Sequence, residues 1–302
     1  MKGLQISENF YYNEGKPMIL KDFPELYPRI AAGLCGEGSE CYGFDDEISK
    51  DHDFGPGFCI WLLEEDFEKY GSRLQEAYDA LPGSKLRDVQ PHAGKRVGVF
   101  SIKEFYRYFG VEVCAQGGNY RIQSPIHCAP EDRLSSCTNG RVFEDNAGEF
   151  TRVRQEICAY YPEDIRVRMI KSCMFRMAQS GQYNYGRCMK RGEYAAAELY
   201  KAEFARAALR LMYLLNRQFE PYTKWTHRKA LTLPLLKGIP VLIESLLLLP
   251  VQENAWRGAD IPCINLRDNK VKVIEEICGI FLKELRAQGI TDKNDPFLEA
   301  DL

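Results

Sequence analysis

The sequence predicts an α+β first half followed by an all-α second half, and three observations carry this. Short apolar or alternating runs bounded by glycine and proline, such as Arg29 to Leu34 and Val97 to Ile102, crowd the region before Phe150. Beyond Phe150 the composition shifts to helix formers in long stretches with helical spacing. At 302 residues the chain is long enough for two ordinary domains, each burying its own core. The boundary is placed there, giving domains 1–150 and 151–302.

Residues 3–27 are amphipathic and rich in aromatics, which predicts one helix packed on a sheet and then an irregular link through Pro17, Pro24 and Pro28. Arg29 to Leu34 reads as the first strand and ends at a turn containing Gly36, Gly38 and Ser39. Asp51-His52-Asp53 follows, and Gly55-Pro56-Gly57 interrupts that segment before the apolar run Phe58 to Leu63, so a bulge or an edge position is implied. Glu64 to Leu81 is a helix that stops at Pro82-Gly83. A basic loop with Lys85, Arg87, His92, Lys95 and Arg96 precedes the strand Val97 to Ile102 and the short helix Lys103 to Phe109. Cys114 to Arg133 reads as loop, and Arg141 to Phe143 as a last short strand running into Glu144, Asp145 and the turn Asn146-Ala147-Gly148. In the second half, helices are expected over Glu163 to Gln179, Glu193 to Asn216, Trp225 to Leu249 (punctuated by Pro234 and Pro240) and Lys270 to Gln288.

The chemistry concentrates between Gly36 and Asp53. Glycines let backbone N–H groups close on an oxyanion, and Ser39 adds a hydroxyl donor. Carboxylates at i and i+2 of an extended segment point to one face, where Asp51 and Asp53 can share a Mg²⁺ that keeps positions free for water and phosphate. A glycine-serine turn followed by such a pair is a nucleotidyl-transfer layout, in which the metal neutralises a triphosphate and aligns attack on the α-phosphorus. His52, between the two, is expected to face the other side.

Gly38-Ser39 with Asp51-x-Asp53 resembles the signature of the polymerase-β-like nucleotidyltransferases. The run GEGSECYGFDDEISKDHDFGPGF resembles the bacterial DUF4037 branch, as do APEDRL (129–134), TNGRVFEDNAGEF (138–150), YYPEDIR (160–166) and PYTKW (221–225). The resemblance implies a nucleotidyltransferase domain with a small mixed sheet flanked by helices, followed by a helical bundle like that of aminoglycoside nucleotidyltransferases. It implies Mg²⁺ and a nucleoside triphosphate, ATP, as donor, with an NMP group passing to an acceptor hydroxyl and pyrophosphate leaving. The acceptor stays open between a small molecule, an RNA end and a protein side chain. Superfamily members place a third acid on a strand such as Val97 to Ile102, but Gly98 stands at that position, so Glu144 or Asp145 is expected to supply the carboxylate, with Asp145 favoured by the family block. Positive charge for the triphosphate is expected from Lys224 in PYTKW and from Arg187 with Lys190; Tyr183 and Tyr185 nearby offer rings that could stack on a base, although tyrosines at this density more often pack between helices. A nucleotide-binding regulatory or interaction module that has lost its base is the competing class, and Gly98 is the feature that sustains it.

Other classes find little support. A net charge of −3 argues against stable non-specific nucleic-acid binding. Eleven cysteines, an odd number without a CxxC pair, read as reduced thiols of a cytoplasmic protein, and no Cys or His spacing suits zinc. The most apolar run, Val241 to Leu249, contains Glu244 and is too short to span a membrane, so no membrane partner is expected. No GxxxxGK[ST], GxGxxG or GxSxG motif is present.

Overall fold

The computed structural model describes residues 1–50, 54–83, 96–116, 119–258, 263–292, 294–295 and 297–298. The chain divides into two compact units, Met1–Tyr160 and Tyr161–Leu302.

In the first unit, helix α1 (Gly3–Phe10) continues through a π-helical stretch, Tyr11–Gly15, into α2 (Lys16–Asp22). Pro17, expected in an irregular link, lies inside this helical run. The register change just before it makes Pro17 a first-turn residue of α2, where its missing N–H costs least. Four strands form one mixed sheet: β1 (Ala31–Leu34), β2 (Cys59–Leu62), β3 (Gly98–Ser101) and β6 (Arg141–Asp145), in the order β3-β2-β1-β6. The β2–β3 pair is parallel, and α4 (Glu64–Asp79) provides the crossover that parallel neighbours require. The other pairs are antiparallel. β1 and β2 are buried along their whole length, as their uninterrupted AAGL and CIWL sequences demand.

Phe10, Tyr11, Ile19, Ile60, Leu62, Leu74, Tyr78 and Val99 belong to one core cluster of this unit. Around Trp61, a second group of rings assembles: Phe150 stacks on it at 3.8 Å and Phe105 meets it edge-on at 5.2 Å. Phe150 comes from α7 (Glu149–Cys158), and Phe105 from α5 (Ile102–Tyr108). The stretch expected to be loop contains a hairpin, β4 (Val113–Gln116) with β5 (Asn119–Ile122), and then α6 (Glu131–Cys137).

Among the described residues the second unit is all helix in its regular structure: α8 (Glu163–Met177), a π-helical stretch (Ala178–Tyr185), α9 (Gly186–Arg191), α10 (Tyr194–Leu215), α11 (Thr223–Ala230), α12 (Ile239–Leu248) and α13 (Asn269–Ala287). The expectation of an α+β part followed by a helical part is borne out. The PEDIR sequence at the start of α8 has a packing role. Arg166 is only 2% exposed and donates to Glu163 at 2.6 Å, to the Leu214 carbonyl at 3.2 Å and to Gln288 at 3.2 Å. The Arg166 hydrogen bond is the main reason the Glu163 carboxyl is held down to about 2. Buried Asp268 accepts from Tyr185 Oη at 2.9 Å and Trp256 Nε1 at 2.8 Å, tying α13 to the π-helical stretch. All eleven cysteines are free thiols. No helix among the described residues is long and apolar enough to cross a membrane.

Glu144 joins the edge strand β6 to the N-terminal helix. Its carboxylate accepts from Lys16 Nζ at 2.7 Å, from Tyr27 Oη at 2.7 Å and from Tyr11 Oη. Burial works against its ionisation, but the bonds from Lys16, Tyr11 and Tyr27 prevail and hold the carboxyl below the usual range. A depressed native pKa stabilises above the unfolded value and loses that stability as pH falls through the native one. Glu144→Gln is therefore expected to cost about 1–3 kcal/mol at neutral pH. In urea titrations the gap to wild type should close as the pH drops below about 4, and a gap independent of pH would contradict the ionised role.

Candidate active site

The register of the sheet decides where the site lies. Gly33 pairs with Cys59 and Ala31 with Trp61, so the end of β1 and the start of β2 share one edge. Gly98, at the start of β3, pairs with Cys59 at that same edge. The glycine turn leaves β1 here, and the chain that follows Asp53 enters β2 here. Asp51, His52 and Asp53 themselves lie outside the described residues.

The turn is held from both sides. Asn139 Oδ1 accepts from Gly36 N at 2.9 Å, and Asn139 Nδ2 donates to Gly36 O at 2.8 Å, so this one amide fixes the loop's first glycine. Gly36 has φ +129°, a conformation that side chains rarely adopt. Next to Asn139, a Cβ on Gly140 would come 1.9 Å from the Leu34 carbonyl, which accounts for the Asn-Gly of the TNGR block. Gly38 is extended, and its reason for being glycine is space: a Cβ would sit 2.0 Å from Arg96 Nη2 and 2.5 Å from Glu40 Oε2. Arg96 and Glu40 form an ion pair at 3.0 Å directly over this glycine, with side chains 17% and 5% exposed. Ser39 opens the short helix α3 (Ser39–Tyr42), and among the described residues its hydroxyl has no hydrogen-bond partner.

Beside the turn opens a cavity of about 300 Å³. Leu34, Cys35, Gly36 and Glu37 form its turn side; Phe100, Phe105 and Phe109 are its apolar wall; Arg96, Glu104 and Tyr108 complete it. At its rim Glu37 pairs with Arg133 at 2.9 Å, and the Arg133 guanidinium lies 5.2 Å over the Tyr108 ring. Burial pushes the Cys35 thiol up, although Arg154 touches its sulfur at 3.0 Å and works the other way, so the cavity wall carries a neutral thiol there. Glu104 occupies the third residue of α5, where its backbone N–H meets the Ser101 cap at 3.0 Å, and among the described residues its carboxylate has no hydrogen bond or ion pair.

Two expected site residues are relocated. Glu144 pairs with Ala32 and Asp145 with Ala31, whereas Leu34 pairs with Arg141. The acids therefore sit at the opposite edge of the sheet from the turn, about 10 Å along the strand at roughly 3.3 Å per residue. Both are also committed elsewhere. Glu144 serves the Lys16 and tyrosine cluster, and Asp145 accepts from Gly148 N at 2.8 Å and Thr151 N at 2.7 Å as the cap of α7. Their assignment as the third carboxylate is corrected. Gly98 has a physical reason to lack one, since its φ of +117° disfavours any side chain while its N–H bonds the Phe58 carbonyl at 2.9 Å. Sequence patterning missed Glu104 and counted Arg96 merely as one of five cations in a loop.

The cations expected from the second half belong to the second unit. Lys224 Nζ lies 4.9 Å over the Trp225 ring and Arg187 lies 4.9 Å over the Tyr183 ring, so among the described residues each is steadied by an aromatic face rather than by a carboxylate partner. Tyr185 is buried on Asp268 and does not present a stacking face. Among the described residues no group of three His, Cys, Asp or Glu side chains is arranged to hold a metal ion.

Residues 127–226 match the family described as a domain of unknown function, DUF4037. The match takes in APEDRL, TNGRVFEDNAGEF, YYPEDIR and PYTKW, and the resemblance to that family is borne out over these residues. The chain is also similar to the crystal structure of a nucleotidyltransferase-like protein from Exiguobacterium sibiricum 255-15, at 12% identity and a TM-score of 0.37, covering 95% of this chain and 88% of that one. No curated protein matches.

Proposed function

We propose that this protein is a Mg²⁺-dependent nucleotidyltransferase that moves AMP from ATP to an acceptor hydroxyl with release of pyrophosphate. The observation that carries the reading is the cradle at Gly38, a glycine packed directly beneath the Arg96–Glu40 ion pair, on the turn that leaves β1 at the sheet edge where β2 begins. In this reading the N–H groups of the turn, the Ser39 hydroxyl and Arg96 hold the outer phosphates. Asp51 and Asp53 would hold Mg²⁺, which when bound supplies charge neutralisation along the triphosphate. Glu104, within the same cavity, takes the proton of the acceptor hydroxyl in place of an acid at position 98.

The competing reading, a nucleotide-binding module without turnover, draws on the same Gly98, because no carboxylate stands on β3 at the site edge. Calorimetry of Mg-ATP with one variant tests the binding assignment common to both. Arg96→Ala, made together with Glu40→Gln so that no buried charge is stranded, is expected to weaken binding about tenfold or more, the usual worth of a charge-assisted hydrogen bond. Wild-type affinity in the Arg96 and Glu40 variant would remove the cradle from the site.

A further inference from the structure

Away from the turn and Arg96, the cavity is built for something other than a phosphate chain. Its wall is Phe100, Phe105 and Phe109, and Tyr108 stands 52% exposed at its mouth. Its charged groups are nearly all satisfied within the protein, Arg96 by Glu40 at 3.0 Å and Glu37 by Arg133 at 2.9 Å. Glu104 alone brings a carboxylate without a partner among the described residues. Beyond the turn, where Arg96 is assigned to phosphate, a polyanion or polycation drawn against these rings would give up water and gain little compensating charge. A flat ring would bury apolar area and meet aromatic faces, and about 300 Å³ is the small end of the range for ligand pockets.

Resting on the nucleotidyl-transfer reading above, we propose that the acceptor is a small hydroxylated aromatic compound, a phenol or aryl alcohol, whose ring enters this cavity and whose hydroxyl meets Glu104. The reaction then balances simply. The acceptor oxygen forms a bond to the α-phosphorus of the nucleoside triphosphate while its proton passes to the Glu104 carboxylate. The bond from the α-phosphorus to the bridging oxygen breaks, and pyrophosphate leaves with that electron pair. The product is an aryl nucleotidyl phosphodiester. Nothing in such a pocket selects an aminocyclitol, whose several ammonium groups would find one free carboxylate.

The test uses 2-naphthol as the probe, with adenosine, myo-inositol and an aminocyclitol as comparisons, on the full chain. Binding is followed by saturation-transfer NMR and calorimetry, first without nucleotide. Naphthol is expected to bind, to remain bound when Mg-ATP is added, and to be weakened about fivefold to a hundredfold by Tyr108→Ala, the range for loss of one stacking face. Tyr108 is largely exposed, so this variant is expected to fold. Displacement of naphthol by adenosine would make the cavity a base pocket and overturn the proposal. So would absence of naphthol binding, equal binding of inositol or the aminocyclitol, or indifference to Tyr108→Ala. Labelled ATP then separates the two levels. If Mg-ATP binds alongside naphthol and no labelled naphthyl ester forms, the acceptor assignment fails. If Mg-ATP does not bind while naphthol does, the nucleotidyl-transfer reading itself fails.

Discussion

The Asp51→Ala, Asp53→Ala double variant is expected to lose metal-dependent binding of nucleoside triphosphate altogether while melting at or above the wild-type temperature. Two carboxylates two residues apart repel each other if the segment is extended and no cation lies between them, so removing them would relieve the metal-free protein. The same change deletes both protein ligands proposed for Mg²⁺, and a metal bridging to phosphate leaves little affinity behind when its protein anchors go. Magnesium should also raise the melting temperature of the wild type and leave that of the variant unmoved, since a ligand stabilises only the form that binds it. Isothermal titration of ATP with and without Mg²⁺, paired with thermal melts, reads both effects. Undiminished metal-dependent binding in the double variant would detach Asp51 and Asp53 from the site.

Gly38→Ala is expected to weaken triphosphate binding about tenfold or more with almost no change in stability. The backbone there is extended at φ −172°, which any residue adopts, so the folded chain carries no strain from the substitution. The new methyl would occupy space 2.0 Å from Arg96 Nη2 and 2.5 Å from Glu40 Oε2, both ends of flexible side chains that can swing away. What changes is the approach to the turn and the direction of the guanidinium over it. Such a split between lost binding and kept stability would separate a ligand cradle from a structural contact. A variant that binds normally would show that the glycine serves only the ion pair.

Much of this was legible in the sequence, because it follows from local pattern. The run RIAAGL ending in Gly-Glu-Gly-Ser announces a buried strand and a turn, and β1 and its turn lie there. The alanine-rich stretch 193–216 announces a long helix, and α10 spans Tyr194–Leu215. Strand order was not legible. β6 pairs with β1, and the register that carries Glu144 and Asp145 away from the turn is fixed by packing across the sheet rather than by the strand's own residues. Asp145 is turned instead to the start of α7, where its carboxylate accepts from the N–H groups of Gly148 and Thr151. The hairpin of β4 and β5 had its mark, Gly117-Gly118 between two short alternating runs. Arg96 had none, because a run of five loop cations looks alike until the strand beside it is placed.

The most direct measurement follows two labels through one reaction. ATP carrying label at the α-phosphate, and separately at the γ-phosphate, is incubated with the protein, Mg²⁺ and an acceptor source, either a cell extract or 2-naphthol. The account predicts that α-label becomes covalently attached to acceptor while γ-label leaves as pyrophosphate in equal amount, and that Asp51→Asn and Asp53→Asn each abolish both. Appearance of γ-label on the acceptor or as inorganic phosphate, or no movement of α-label from any common nucleoside triphosphate that the protein binds, would contradict it.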